Sequence, residues 1–207
     1  MRVELPDIIA PAKFLLDASQ TMNDEEYFEF CANNQDLRIE RTSQGEIVIM
    51  PPCGGESDSR NTDLVMLLAV WAKRDGRGRA FGPSVEFILP SSAAYSPDAS
   101  WVSRERLSKL SKEQLRRFPP VCPEFVVEVM SPSDRLQTAR EKLMLWLADG
   151  VELAWLIDAD RETVYIYRQG FAAPEIRVGI SELAGEDPMA GFVLDLSDIW
   201  ADRKSVV

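Results

Sequence analysis

The chain has 207 residues and an apolar fraction of 45%, which is typical of a globular protein with a sizeable core. Histidine is absent, which excludes Ser-His-Asp triads, Cys-His pairs, HExxH zinc sites and histidine-based nuclease chemistry. The net charge of −11 would repel a polyanion, so it argues against a nucleic-acid partner unless basic residues share one surface.

Residues 1–20 are broken by charges and prolines, and we interpret them as an N-terminal arm. No internal repeat or long linker divides residues 21–207, so we predict a single domain there. The sequence has no signal-peptide pattern and no run near the roughly 18 apolar residues that span a membrane. These features predict a cytoplasmic protein without a membrane partner.

Hydrophobic periodicity predicts the elements of the first 120 residues. They are a helix over 21–34, a hairpin over 37–52, a long helix over 54–76, strands over 79–90 and 97–103, and short surface helices over 104–120. Asn23 or Asp24 would cap the first helix, and Gly76 would end the long one.

The second half of the chain alternates strands and helices. The predicted elements are a strand over 123–130, a helix over 135–149, strands over 151–158 and 163–169, and a further strand in the tail "GFVLDLSDIW". This order predicts an α/β fold built on a mixed sheet flanked by helices, with additional N- and C-terminal strands.

Three polar positions stand out in this arrangement. Glu128 lies in the apolar strand "EFVVEVM", where an unpaired buried carboxylate would cost several kcal/mol. Asp98 begins the preceding strand, and Lys142 borders the apolar face of the following helix. Each has a structural alternative: an ion-paired Glu, a turn-capping Asp and a Lys whose stem covers apolar surface.

Together, two carboxylates and a lysine on adjoining elements suit phosphodiester hydrolysis. Oxygen ligands are those that Mg²⁺ prefers, and the metal would acidify a bound water and neutralise charge on the scissile phosphate. The lysine would orient that water and stabilise the developing negative charge.

The segments "SPDASWVSRERL", "FPPVCPEFVVEVMSPSD" and "EKLMLWLADGVELAWLID" resemble the Uma-type restriction endonuclease family of the PD-(D/E)XK nuclease superfamily. The resemblance covers roughly residues 20–200. It implies a restriction-endonuclease-like core, Mg²⁺-dependent cleavage of DNA that leaves a 5′-phosphate, and a homodimer. Mn²⁺ is expected to substitute for Mg²⁺.

Residue by residue, the resemblance assigns Asp98 and Glu128 as metal ligands and catalytic acids, and Lys142 as the catalytic lysine. It adds the backbone carbonyl of Val129 as a further ligand. Glu56, at the start of the long helix, resembles an acid that some superfamily members add to the metal site, although a favourable charge at a helix N-terminus explains it equally well. The superfamily usually places its lysine two residues after the second acid, where this chain has Met130.

Two other functions fit the sequence. The acidity and Met130 are also compatible with an inactive nuclease fold kept as a dimeric binding or scaffold module. The acidity further suits a metal-dependent hydrolase of small phosphoesters. The basic segments "AKRDGRGRA" and "SRERLSKLSKEQLRR" could contact phosphates, but such runs are often only solvated faces.

Overall fold

The computed structural model describes residues 12–14, 22–50, 52–132 and 134–200. The predicted arm over 1–20 lies outside the described residues except for 12–14, whose backbone forms a strand. The chain forms two compact units, and the prediction of a single domain over 21–207 stays a prediction. No helix in the described ranges is long and apolar enough to cross a membrane.

The helices and strands alternate irregularly along the chain. In chain order they are β1 (Ala12–Phe14), α1 (Asp24–Ala32), β2 (Arg38–Arg41), β3 (Ile47–Met50), α2 (Gly55–Asp75), β4 (Gly78–Phe81), β5 (Phe87–Ile88), β6 (Ala94–Tyr95), β7 (Ala99–Ser103), α3 (Arg104–Ser108), β8 (Phe125–Val129), α4 (Leu136–Ala148), β9 (Leu153–Asp158), β10 (Thr163–Arg168), β11 (Glu175–Val178), β12 (Glu182–Ala184), β13 (Val193–Asp195) and α5 (Ser197–Trp200).

The first unit comprises Met1–Pro52, Val85–Ser96 and Lys109–Val121. Its sheet has the strand order β1-β3-β2-β6-β5, in which the predicted hairpin supplies the antiparallel pair β2 and β3. Helix α1 begins at a capping box, because the Asn23 side chain accepts from the Glu26 amide and the Glu26 carboxylate accepts from the Asn23 amide.

The second unit comprises Cys53–Ser84, Pro97–Ser108 and Cys122–Val207. Its six-stranded sheet has the order β11-β10-β9-β8-β7-β4, and β12 pairs with β13 in a separate small sheet. The central pair β8 and β9 is parallel because α4 connects them, whereas the other pairs are antiparallel. The predicted mixed sheet flanked by helices is therefore confirmed.

The two faces of β8 carry different residues, as the alternation predicts. Phe125, Val127 and Val129 pack in the main core together with Leu64 and Leu68 of α2. The opposite face includes Glu128, and the side chains that reach it come from α4. The sheet thus lies between α2 and α4, and Glu128 lies where β8 ends.

One predicted strand is wrong in its extent. The run over 79–90 was expected to form a single strand, but β4 ends at Phe81 and the chain resumes as β5 in the other sheet. Gly82 and Pro83 separate the two strands, since proline cannot donate to a sheet ladder and glycine weakens a strand. The apolar periodicity continues across this break, so it could not reveal the change of sheet.

Replacing Gly78 with alanine is expected to destabilise the protein by about 1–3 kcal/mol, the usual cost of overpacking a core. A Cβ at Gly78 would lie within 2.5 Å of the Val102 carbonyl oxygen, a backbone atom that cannot swing aside. Urea unfolding measures the change. Gly55→Ala is the matched control, because a Cβ there meets no atom within 4 Å, and equal stabilities for both variants would contradict the prediction.

Candidate metal and catalytic site

Strand pairing brings Asp98 and Glu128 to the same edge of the six-stranded sheet. Asp98 immediately precedes β7, and Glu128 is the penultimate residue of β8. These strands are antiparallel, with Ala99 paired to Val127. The start of β7 therefore lies beside the end of β8, and the two acids, 30 residues apart in sequence, become neighbours.

Asp98 is buried and receives hydrogen bonds on both carboxylate oxygens. The Asn61 side-chain amide donates to Oδ1 at 3.0 Å, and the backbone N–H of Val129 donates to Oδ2 at 2.8 Å. The second bond joins Asp98 directly to the end of β8. Two donors fix the orientation of the carboxylate and stabilise its negative charge.

Glu128 is held by two side chains of α4. The Trp146 indole N–H donates to Glu128 Oε1 at 3.0 Å, and the Lys142 ammonium nitrogen lies 3.1 Å from the same oxygen. Trp146 and Lys142 are four residues apart on α4, so both face the sheet from neighbouring turns. The buried carboxylate thus has a charged partner and a neutral donor, which lowers the cost of its burial.

The structure brings Lys142 to the acids, although the position two residues after Glu128 is Met130. Met130 is buried in the apolar interior. Lys142 has a side chain only 22% exposed, so its stem is covered while its ammonium group reaches Glu128. A lysine from α4 therefore lies beside the second acid. The superfamily usually has its lysine at the position of Met130, and the sequence did not show whether Lys142 could reach the acids instead.

The two further predicted ligands differ in their surroundings. The Val129 amide points at Asp98, and since the N–H and C=O of one strand residue face the same neighbouring strand, its carbonyl is also directed towards β7. The Glu56 carboxylate, half exposed, forms an ion pair with Arg60 at 2.7 Å. The contacts of Glu56 are thus with its own helix, and its role as a metal ligand stays a prediction.

The donor set fits a hard cation. Two carboxylates and a backbone carbonyl at one sheet edge are oxygen donors of the kind that Mg²⁺ takes together with several waters. Among the described residues, no group of three or more Asp, Glu, Cys or His side chains is placed to hold one metal ion. Mg²⁺ usually keeps several waters and takes one or two carboxylates, which is the number that Asp98 and Glu128 offer.

Sequence reasoning missed two side chains that position the acids. Asn61 follows the first turns of α2, and only its contact with Asp98 reveals a role. Trp146 falls at an apolar position of the α4 pattern and its ring is buried, but a buried indole N–H needs an acceptor, and Glu128 provides it. The sequence signal for the Trp146–Glu128 pair is a tryptophan on the apolar face of the helix that follows a strand with a buried acid.

Burial holds two of the three cysteines as neutral thiols. Burial raises the pKa of the Cys122 thiol to about 12 and that of the Cys31 thiol to about 12, because the apolar surroundings disfavour the thiolate. The thiolate is the form that binds metals. Cys53 is exposed, near the start of α2.

Comparison with known proteins places the fold and the family. The crystal structure of "a putative nuclease belonging to DUF820" from Anabaena variabilis superposes with a TM-score of 0.69 at 19% sequence identity. The match covers 86% of this chain and 97% of that one, which shows a shared fold. No curated protein matches the sequence. The sequence matches the family Uma2, described as "Putative restriction endonuclease", over residues 24–197, so the chain belongs to the Uma2 family.

Proposed function

We propose that the chain is a magnesium-dependent endodeoxyribonuclease that hydrolyses phosphodiester bonds of DNA. The observation that carries the proposal is the arrangement of Asp98, Glu128 and Lys142 at one sheet edge, with the lysine 3.1 Å from the second acid. Family membership supports a nuclease, and the absence of histidine from the sequence is compatible with oxygen-ligated metal chemistry.

The residues have distinct roles in this proposal. Asp98, Glu128 and the Val129 carbonyl would hold the ion, with Glu56 as a further candidate. Bound Mg²⁺, or Mn²⁺ in its place, supplies an acidified water and neutralises charge at the phosphate. Lys142 would orient the attacking water and stabilise the negative charge that develops at the phosphate.

The remaining parts of the proposal have two sources. The resemblance described above adds a 5′-phosphate on the product and a homodimer, and the lack of a signal-peptide pattern or long apolar run in the sequence adds a cytoplasmic location. A dimer suits the chemistry, since cleavage of both strands of a duplex is simplest with two active sites related by symmetry.

Removing divalent metal is expected to abolish cleavage of DNA by the purified protein. Supercoiled plasmid should remain intact in EDTA and become nicked or linear when Mg²⁺ or Mn²⁺ is restored, because the carboxylates alone cannot activate water at neutral pH. Agarose gel electrophoresis of the plasmid forms measures the result.

The same assay separates the alternatives. Single-stranded RNA and a chromogenic phosphodiester are tested beside the plasmid under identical metal conditions. Cleavage of the chromogenic ester without cleavage of DNA would favour a hydrolase of small phosphoesters. An intact plasmid at every metal concentration, with no metal bound by calorimetry, would instead favour an inactive binding module and overturn the proposal.

A further inference from the structure

The buried face of α2 changes from apolar to polar towards its N-terminus. Leu64, Leu68 and Ala72 continue this face into the main core. One and two turns earlier, the same face carries three buried polar residues: Ser57, Arg60 and Asn61. Helical spacing places all of them on the side that packs against the sheet. The polar part of α2 is therefore buried on the side that faces the sheet, and its Asn61 contacts Asp98.

Arg60 is the unusual member of this group. Its side chain is only 7% exposed, and its Nη2 atom donates to Glu56 at 2.7 Å. Its Nε and Nη1 atoms are buried and have no hydrogen-bond partner within the part of the chain that the structure describes. Leaving such charged donors unsatisfied costs more than leaving a neutral group unsatisfied, so an acceptor is expected there in the working state.

The neighbours of Arg60 connect it to the acids. The next residue, Asn61, donates to Asp98, and the Asn61 Oδ1 atom is also buried without a partner among the described residues. A Cβ added at Gly54 or Gly55 would meet no atom within 4 Å, so the backbone at the N-terminus of α2 is uncrowded. Gly54, the N-cap residue, provides no side-chain cap, so the positive end of the helix also favours an anion.

We propose that Arg60 binds a phosphate group of the nucleic acid beside the Asp98–Glu128 site, through its Nε and Nη1 atoms. The inference rests on the proposed function, because it names the part of the substrate that this end of the site holds. A guanidinium fork matches two oxygens of one phosphate, which a lysine cannot reproduce. Arg60 also places a positive charge at the site of a chain whose net charge is −11.

The glutamate partner suits this role. Glu56 is half exposed and occupies only Nη2, so it can neutralise Arg60 in the free protein without blocking the other two nitrogens. A phosphate would complete the hydrogen bonds of Nε and Nη1 once the atoms that cover these two nitrogens in the free protein move aside, while Arg60 itself is already held by Glu56. Little side-chain entropy would be lost on binding, which favours affinity.

Binding of a labelled DNA duplex in EDTA tests the inference without cleavage. Arg60→Gln is expected to weaken binding by about 10- to 100-fold at low salt, the usual effect of losing charge-assisted hydrogen bonds. The slope of log affinity against log salt should fall by about 0.9, the contribution of one phosphate contact. A residue with only a structural role would not change this slope. Arg60→Lys should keep most of the slope but only part of the affinity.

Arg177→Gln is the matched control. Arg177 is also paired with a glutamate at 2.7 Å, but it lies on β11, the edge strand that β8, β9 and β10 separate from β7. Its replacement should leave both the affinity and the salt slope unchanged. Equal slopes for wild type and Arg60→Gln, or no binding of the wild-type protein at low salt, would overturn the inference.

A wild-type crystal soaked in inorganic phosphate covers the case in which Arg60→Gln fails to fold. Phosphate within hydrogen-bond distance of Nε and Nη1 of Arg60 is the expected result, and phosphate bound only elsewhere, or nowhere, contradicts it. Because binding is measured in EDTA, its result does not depend on whether the protein cleaves DNA. A protein that cuts no DNA but retains the Arg60-dependent salt slope would refute the nuclease and leave the phosphate site standing.

Discussion

Replacing Glu128 with glutamine is expected to lower Mg²⁺-dependent cleavage at least about a thousandfold while the protein stays folded. Trp146 and Lys142 both approach the same oxygen, Oε1, and a glutamine carbonyl oxygen can accept from both. The variant thus keeps the local contacts and removes the negative charge that would hold the metal. Loss of several kcal/mol of transition-state stabilisation corresponds to a rate loss of this size.

Asp98→Asn should lose activity to the same extent and also lose stability. Both Asp98 oxygens accept hydrogen bonds, whereas asparagine offers one oxygen and would turn an NH₂ group towards Asn61 or the Val129 amide. We expect about 1–3 kcal/mol of destabilisation, because the Val129 N–H and the Asn61 amide lose a charged acceptor. Plasmid cleavage rates and urea unfolding, measured on both variants, separate the charge effect from the hydrogen-bond effect.

Asp160→Asn is the control for these two variants, because Asp160 is an exposed aspartate in the turn between β9 and β10. It should cleave and unfold as the wild type does. Wild-type cleavage by Glu128→Gln and Asp98→Asn would show that neither acid binds a catalytic metal, and the proposed function would then be wrong.

Replacing Lys142 with methionine is expected to lower the cleavage rate by about 10²- to 10³-fold, the effect of removing one donor from a developing negative charge. Methionine keeps the apolar stem that α4 covers but removes the ammonium group beside Glu128. Lys142→Arg retains the charge and should recover part of the rate. Single-turnover cleavage of a labelled duplex measures the chemical step.

Metal affinity distinguishes the role of Lys142 from that of Glu128. Removing a cation next to Glu128 relieves repulsion of a bound ion, so Lys142→Met should bind Mn²⁺ at least as tightly as the wild type, whereas Glu128→Gln should bind it more weakly. Calorimetric titration with Mn²⁺ measures both. Lys112→Met, at an exposed position, should leave the Mn²⁺ affinity unchanged. Unreduced cleavage by Lys142→Met would remove the lysine from the mechanism.

Much of the fold could be predicted from local patterns. The bounds of α2 and α4 follow from apolar spacing and from glycine near the C-terminus, and Gly76 ends α2 with a φ of 75° that glycine adopts readily. The parallel pair β8 and β9 follows from a strand, a connecting helix and a strand. The division of 79–90 between two sheets could not be predicted, because strand pairing depends on partners distant in sequence.

The candidate site, too, could be predicted from the sequence only in part. The sequence by itself determined the residue types that could do the chemistry: no histidine, a glutamate in an apolar strand, an aspartate before the adjacent strand and a lysine on the following helix. Each of them alone had a structural explanation. Resemblance to a family added the expectation that they act together.

Only the tertiary structure decided how these groups meet. The register of β7 against β8 sets Asp98 beside Glu128, and the path of α4 across the sheet brings Lys142 and Trp146 to one carboxylate oxygen. The tertiary structure also buries Arg60, whose Nε and Nη1 atoms have no hydrogen-bond partner among the described residues. The physical reason is that hydrogen bonds and ion pairs act over about 3 Å in space, and sequence spacing fixes such distances within a helix but not between elements.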